Sequence, residues 1–146
     1  MKVAINKNAL ESIVTNSNSY LEKKDLSAIT SHIFIGAKDG ILNIKATDHE
    51  IGLAYKLSNV KIMDEGNATA NGKKLLDIIR SLKDEEITLE TVNNYLYIKQ
   101  KNSKYKLPMY KFEDFPNFPT VENKNKFEVD AVMLGRSLKK IFPSID

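Results

Sequence analysis

The chain has 146 residues, 42% of them hydrophobic and 28% charged, with 22 basic against 19 acidic side chains for a net charge of +3. That is enough apolar material for one ordinary domain and part of another, and the lack of any cysteine excludes disulfide frameworks, cysteine zinc sites and thiol nucleophiles. The opening Met1-Lys2-Val3-Ala4-Ile5-Asn6 holds no signal-like apolar run, and no stretch approaches the ~20 apolar residues that cross a bilayer, which predicts a soluble, cytoplasmic protein without membrane partners.

Residues 2 to 6 alternate as a strand, and a helical rhythm follows in which Leu10, Ile13, Val14 and later Tyr20 and Leu21 share one face. Asn6 and Asn8 are both candidate caps, and a repeat described below favours Asn6. Two alternating runs, 31–37 and 41–47, flank Asp39-Gly40, a dipeptide suited to a two-residue hairpin turn. A third run, 51–57, follows a turn at Asp48-His49-Glu50. The order strand, helix, strand, strand, strand then recurs. It comprises a strand over 67–70, a helix opened by Asn71 or Gly72 with a stripe of Leu75, Leu76, Ile79 and Leu82, a hairpin of 87–91 and 95–101 across Val92-Asn93-Asn94, and a last strand over 105–109. Two βαβββ halves predict an α+β domain with two helices together on one side of antiparallel sheet.

Phe112-Glu113-Asp114-Phe115-Pro116-Asn117-Phe118-Pro119 breaks the pattern. Its prolines impose extended backbone and its phenylalanines predict a packed connector, so a first domain is expected over 1–119. The remainder, 120–146, restarts the protein: Ile5 and Val129, Asn6 and Asp130, Leu10 and Leu134, Val14 and Leu138 all stand 124 positions apart. This predicts the first strand and helix of a second, truncated copy of the domain, with Asp130 as cap where Asn6 caps the first.

A tandem array of such domains resembles the β sliding clamp family of bacterial DNA polymerase III. The resemblance runs through the opening Lys2-Val3-Ala4-Ile5, Ala46-Thr47-Asp48-His49-Glu50, Lys73-Lys74-Leu75-Leu76-Asp77-Ile78-Ile79-Arg80-Ser81-Leu82, and Leu107-Pro108-Met109 leading into Asp114-Phe115-Pro116. It implies the DNA-clamp fold, and a chain of three such domains that closes as a homodimeric ring around duplex DNA. It also implies a non-catalytic processivity factor, with the replicative polymerase and clamp loader binding through other domains. Where many members carry an arginine-proline turn after the first helix, this chain has Lys23-Lys24-Asp25-Leu26-Ser27-Ala28, and it is slightly basic where many members are acidic.

On the second helix Lys73, Asp77 and Arg80 line up opposite the apolar stripe, with Lys83 nearby. The resemblance turns this face to the DNA, where cations would attract phosphates without reading bases; Lys24, and less directly Lys7, would join it. The alternative for these residues is an ordinary solvated helix face. The resemblance also implies a subunit interface built from Lys74, Ile78 and Leu82 on the helix and Lys104, Tyr105 and Leu107 on the last strand, an edge able to pair with another chain. For Tyr105 and Leu107 the other reading is that they face their own core, and both can hold for different atoms of the same residues.

Between Tyr95 and Lys111 stand five lysines and four tyrosines and no acid. This suggests a rival function, a monomeric single-stranded nucleic-acid-binding module that stacks bases on aromatic rings. Against it, Lys104 and Lys106 alternate to the opposite face from Tyr105. His32 and His49 are the only histidines, and Asp48-His49-Glu50 reads as a turn, since adjacent residues do not converge on one ion. No serine sits in a nucleophile elbow and no glycine-rich phosphate loop exists, so no enzyme, cofactor or metal site is expected.

Overall fold

Apolar alternation and helical periodicity make the elements, but pairing between distant strands decides how they are arranged. The computed structural model describes residues 1–25, 28–118 and 127–145. Along the chain run β1 (Lys2–Asn6), α1 (Lys7–Ser17), β2 (His32–Lys38), β3 (Ile41–Thr47), β4 (Gly52–Leu57), β5 (Lys61–Asp64), β6 (Gly66–Asn71), α2 (Gly72–Ser81), β7 (Glu86–Val92), β8 (Tyr95–Gln100), β9 (Ser103–Pro108) and α3 (Ala131–Ile141). Strand β5 is an addition to the expected order.

The strands form two antiparallel sheets, β5-β1-β7-β8-β9 and β4-β3-β2-β6. Each half lends its first strand to the other half's sheet: β1 pairs with β7, and β6 with β2. Both lent strands end on an asparagine that caps the next helix. The Asn6 side chain accepts from the backbone N–H groups of Asn8 and Ala9 (2.9 and 3.2 Å), and Asn71 accepts from that of Lys74 (3.1 Å), which satisfies amides the helix itself leaves free. The hairpin turn at Asp39-Gly40 has φ of 52° and 74°, both in the left-handed region a two-residue turn requires. The final turn falls at Lys101-Asn102, one step earlier than the alternation suggests, with Lys101 at φ 46°.

The core lies between the sheets' inner faces and the two helices. Val3, Ile5, Ile87, Leu89, Leu96 and Ile98 from one sheet and Ile33, Ile35, Leu42 and Ile44 from the other meet Leu10 and Val14 of α1 and Leu75 and Ile79 of α2. Each such side chain contributes about 1.5–3 kcal/mol relative to exposure. On the outer face of the second sheet, the connector lies as a strap. Tyr110 stacks on His32 at 4.4 Å, its N–H donates to Thr69 Oγ1 (2.8 Å), and Phe115 tilts onto Phe34 at 5.6 Å. Phe118 lies under the Lys45 ammonium, 5.4 Å from ring centre.

Helix α3 begins where the 124-residue echo places it, both helices spanning 11 residues, and Asp130 Oδ1 caps it by accepting from Met133 N–H at 2.7 Å. No residue of α3 is buried: Met133, Leu134, Leu138 and Ile141 are exposed. The expected strand before it is not formed, because residues 127–130 find no ladder partner among the described residues, and a strand needs one.

Candidate nucleic-acid interface

Helices α1 and α2 lie side by side, both caps at the ends of adjacent-half strands. With Leu10, Ile13 and Val14 of α1 and Leu75, Leu76 and Ile79 of α2 turned inward, the exposed side carries Asn8, Ser12, Thr15 and Asn16 from one helix and Lys73, Lys74, Asp77 and Arg80 from the other.

A glycine fixes what lies beside this face. Gly72, the first residue of α2, is buried, and a Cβ there would stand 2.3 Å from Leu21 Cδ1 and 2.8 Å from Asn18 Oδ1. Its absence lets the segment after α1 settle on α2, where Asn18 Nδ2 donates to the carbonyls of Val14 (2.8 Å) and Gly72 (3.3 Å). The result is a cleft of about 460 Å³ whose charged lining is Glu22, Lys23, Lys73, Asp77 and Arg80. Lys73 and Arg80 therefore do share one site. Lys24 stands apart, in a neighbouring cleft with Asp48 and Glu50, its own N–H donating to Glu22 Oε1 (2.6 Å). Lys83 lies beyond the end of α2, where the buried Gln100 side chain holds its backbone from both sides (3.0 and 2.9 Å).

Two residues that sequence reasoning left out belong to this face. Lys23, rather than Lys24, reaches the cleft of Lys73 and Arg80. Glu11 lies between the helices, with Oε2 2.5 Å from Lys7 Nζ and Oε1 3.5 Å from Arg80 Nε. The hydrogen bond from Lys7, reinforced by the charges of Lys7 and Arg80, holds its carboxyl below the usual range. The i, i+4 spacing of Lys7 and Glu11 was the available signal.

Strand β9 is a sheet edge and packs against α2, which brings together the two elements expected at a subunit interface. Lys74 is exposed, Ile78 half-buried and Tyr105 39% exposed. Leu82 and Leu107 are both buried within this domain, at 8% and 6% exposure: Leu82 completes the α2 stripe and Leu107 pairs with Leu96 across the ladder. Their side chains offer little surface to a partner. The argument against a stacking surface also changes. Lys104 and Lys106 do oppose Tyr105, but they lie over Tyr97 and Tyr95 at 4.6 and 4.9 Å on the outer sheet face, so lysines and tyrosines share a face after all.

The Asp48-His49-Glu50 turn is held by Asp48 Oδ1, which accepts from the N–H groups of Glu50 and Ile51 (3.0 and 2.9 Å). Those bonds, the one from Ile51 foremost, lower the Asp48 pKa. Among the described residues no three His, Asp or Glu side chains gather to hold a metal. His32 is pushed down to about 4, by burial first and then by the charge of Lys74.

A family model described as DNA polymerase III beta subunit, N-terminal domain, matches residues 1–119. A beta sliding clamp of Helicobacter pylori strain J99 is 43% identical over 146 residues, covering all of this chain and 39% of the relative; one of Mycoplasma genitalium is 27% identical, over 99% and 40%. The chain thus spans about two fifths of the length of the relatives it matches. A crystal structure of the H. pylori beta clamp bound to a DNA ligase peptide superposes with a TM-score of 0.93 at 43% identity, over 100% of this chain and 41% of that one. The Pseudomonas aeruginosa DNA polymerase III subunit beta, at 22% identity, shares the fold with a TM-score of 0.88 over 95% and 38%.

Proposed function

Because the chain belongs to the DNA polymerase III beta subunit family, we propose that it forms one sector of a ring-shaped sliding clamp, the processivity factor that keeps a replicative polymerase on duplex DNA. The observation that carries this reading is the likeness to β clamps along the whole chain, in sequence and in fold together. In this reading residues 1–119 are the first clamp domain and 120–146 open a second. The protein acts in the bacterial cytoplasm and catalyses nothing: a closed homodimeric ring holds DNA by topology. The polymerase and the clamp loader bind outside these 146 residues.

The α1–α2 face turns towards the DNA. Lys73 and Arg80, with Lys23 in the same cleft, supply positive charge without base-reading geometry, which suits a protein that must slide; Lys24 and Lys83 stand at its margins. The edge β9 and the adjoining side of α2, with Lys74, Ile78, Lys104 and Tyr105, form half of the subunit joint; Leu82 and Leu107 back it from the core. Reversing both cleft cations, Lys73→Glu with Arg80→Glu, tests the face. Binding of a short duplex, followed by fluorescence anisotropy at low salt, is expected to fall, with a salt slope shallower by roughly one to two units. Unchanged binding would assign DNA contact elsewhere.

A further inference from the structure

The cations of the helix face are not all free to meet a phosphate, because one carboxylate is already inserted among them. Glu11 sits on α1, one turn after Lys7, and its two oxygens are divided between the two helices: Oε2 takes Lys7 and Oε1 takes Arg80. The three side chains differ in exposure. Lys7 is 13% exposed and Glu11 27%, whereas Arg80 is 54% exposed and meets the carboxylate through Nε at 3.5 Å. Arg80 also lines the cleft beside this face. A phosphate approaching Arg80 meets a guanidinium whose charge is already offset, and Lys7 is mostly buried and bonded to the same carboxylate. Of the four cations that α1 and α2 themselves carry, Lys7, Lys73, Lys74 and Arg80, two are engaged by Glu11.

We propose that Glu11 is an internal counter-ion that competes with DNA phosphates for Arg80 and Lys7 and so keeps the inner face's grip on the duplex weak. This rests on the clamp reading above and adds a residue to it. A ring held by topology gains nothing from tight backbone contacts, since each must be released at every step along the DNA. A carboxylate that exchanges places with a phosphate lowers the difference between bound and released states at each cation. It acts as a positioning residue, through Arg80 and Lys7, and needs no contact with DNA.

The test is Glu11→Gln, which keeps size and polarity and removes the charge. Binding of a short fluorescent duplex of mixed sequence is measured across a salt series for the wild type, Glu11→Gln, Lys73→Glu, Arg80→Ala and the double variant Glu11→Gln/Arg80→Ala. The expected result is tighter binding by Glu11→Gln, about two- to fivefold, the range of an exposed ion pair. Its salt dependence should be steeper by up to about one unit, and the gain should shrink in the Arg80→Ala background. Unchanged binding by Glu11→Gln alongside weakened binding by Lys73→Glu overturns the counter-ion and leaves the face standing. Weaker binding by Glu11→Gln also overturns it, and makes the carboxylate a support that aims Arg80. If Lys73→Glu binds as the wild type does, or no form binds, the reading of the face itself falls, and this inference with it.

Discussion

Replacing Gly72 by alanine should destabilise the domain although it puts a better helix former into a helix. The new methyl would stand 2.3 Å from Leu21 Cδ1, 2.8 Å from Asn18 Oδ1 and 3.3 Å from Ile33 Cγ1. Carbon atoms in good contact sit near 3.5–4.0 Å, so the leucine methyl must retreat by about 1.2 Å or more. It has little room, because Leu21 is only 6% exposed and Ile33 not at all. Overpacking of this kind costs about 1–3 kcal/mol, and the better helix propensity of alanine returns at most ~1 kcal/mol. The net expectation is a loss of about 0.5–2 kcal/mol, read as a lower urea midpoint at unchanged m value. Leu21→Ala alone should cost about 2–5 kcal/mol by opening a cavity, and clearly less in the Gly72→Ala background, where the new methyl enters that space. A Gly72→Ala protein as stable as the wild type, or two additive losses, would refute the claim that this contact seats the segment after α1 on α2.

Two further predictions follow from the outer sheet face. Gly52 lies under Phe118, whose ring atoms would stand 2.9 and 3.1 Å from an added Cβ; Gly52→Leu should lift the connector and speed tryptic cleavage at Lys111, and unaltered cleavage would mean that the strap is held without this contact. His32 has its usual value of 6.5 lowered to about 4, so below pH 6.5 the unfolded chain binds a proton that the folded chain refuses. Its contribution is complete above 6.5 and is lost as the pH falls from there towards 4. His32→Phe should flatten the stability curve between pH 6.5 and about 5, above the range where the lowered carboxyls of Glu11, Asp48 and Glu90 titrate; an unchanged slope would contradict the assignment.

What the sequence discloses here is chiefly what is local. Asp39-Gly40 forms its turn because both residues tolerate positive φ, and the α2 stripe reads directly from helical spacing. The match with Asp130 favours Asn6 as the first cap, and both side chains do cap their helices. Strand β5 escaped notice because Lys61-Ile62-Met63-Asp64 places only one side chain, Ile62, against the core. The exchange of first strands between sheets is a non-local pairing that alternation does not encode. Nor does periodicity distinguish a leucine that faces its own core from one that faces a partner, so the burial of Leu82 and Leu107 reads only from the fold. The lysines over Tyr95 and Tyr97 follow from the β8–β9 register, available only once the turn is fixed at Lys101-Asn102. Lys23 rather than Lys24 enters the cleft because Leu21 anchors the segment on Gly72, a contact 51 positions apart along the chain.

The central claim is that the protein holds DNA by enclosing it. The direct measurement places the protein, together with a bacterial clamp loader, on a nicked circular DNA that is then cut once, with the bound fraction followed before and after. A ring slides off the new ends, so the account predicts release on cutting and retention on the uncut circle. Equal retention on the linear and circular forms would contradict it, because contacts rather than enclosure would then be holding the DNA.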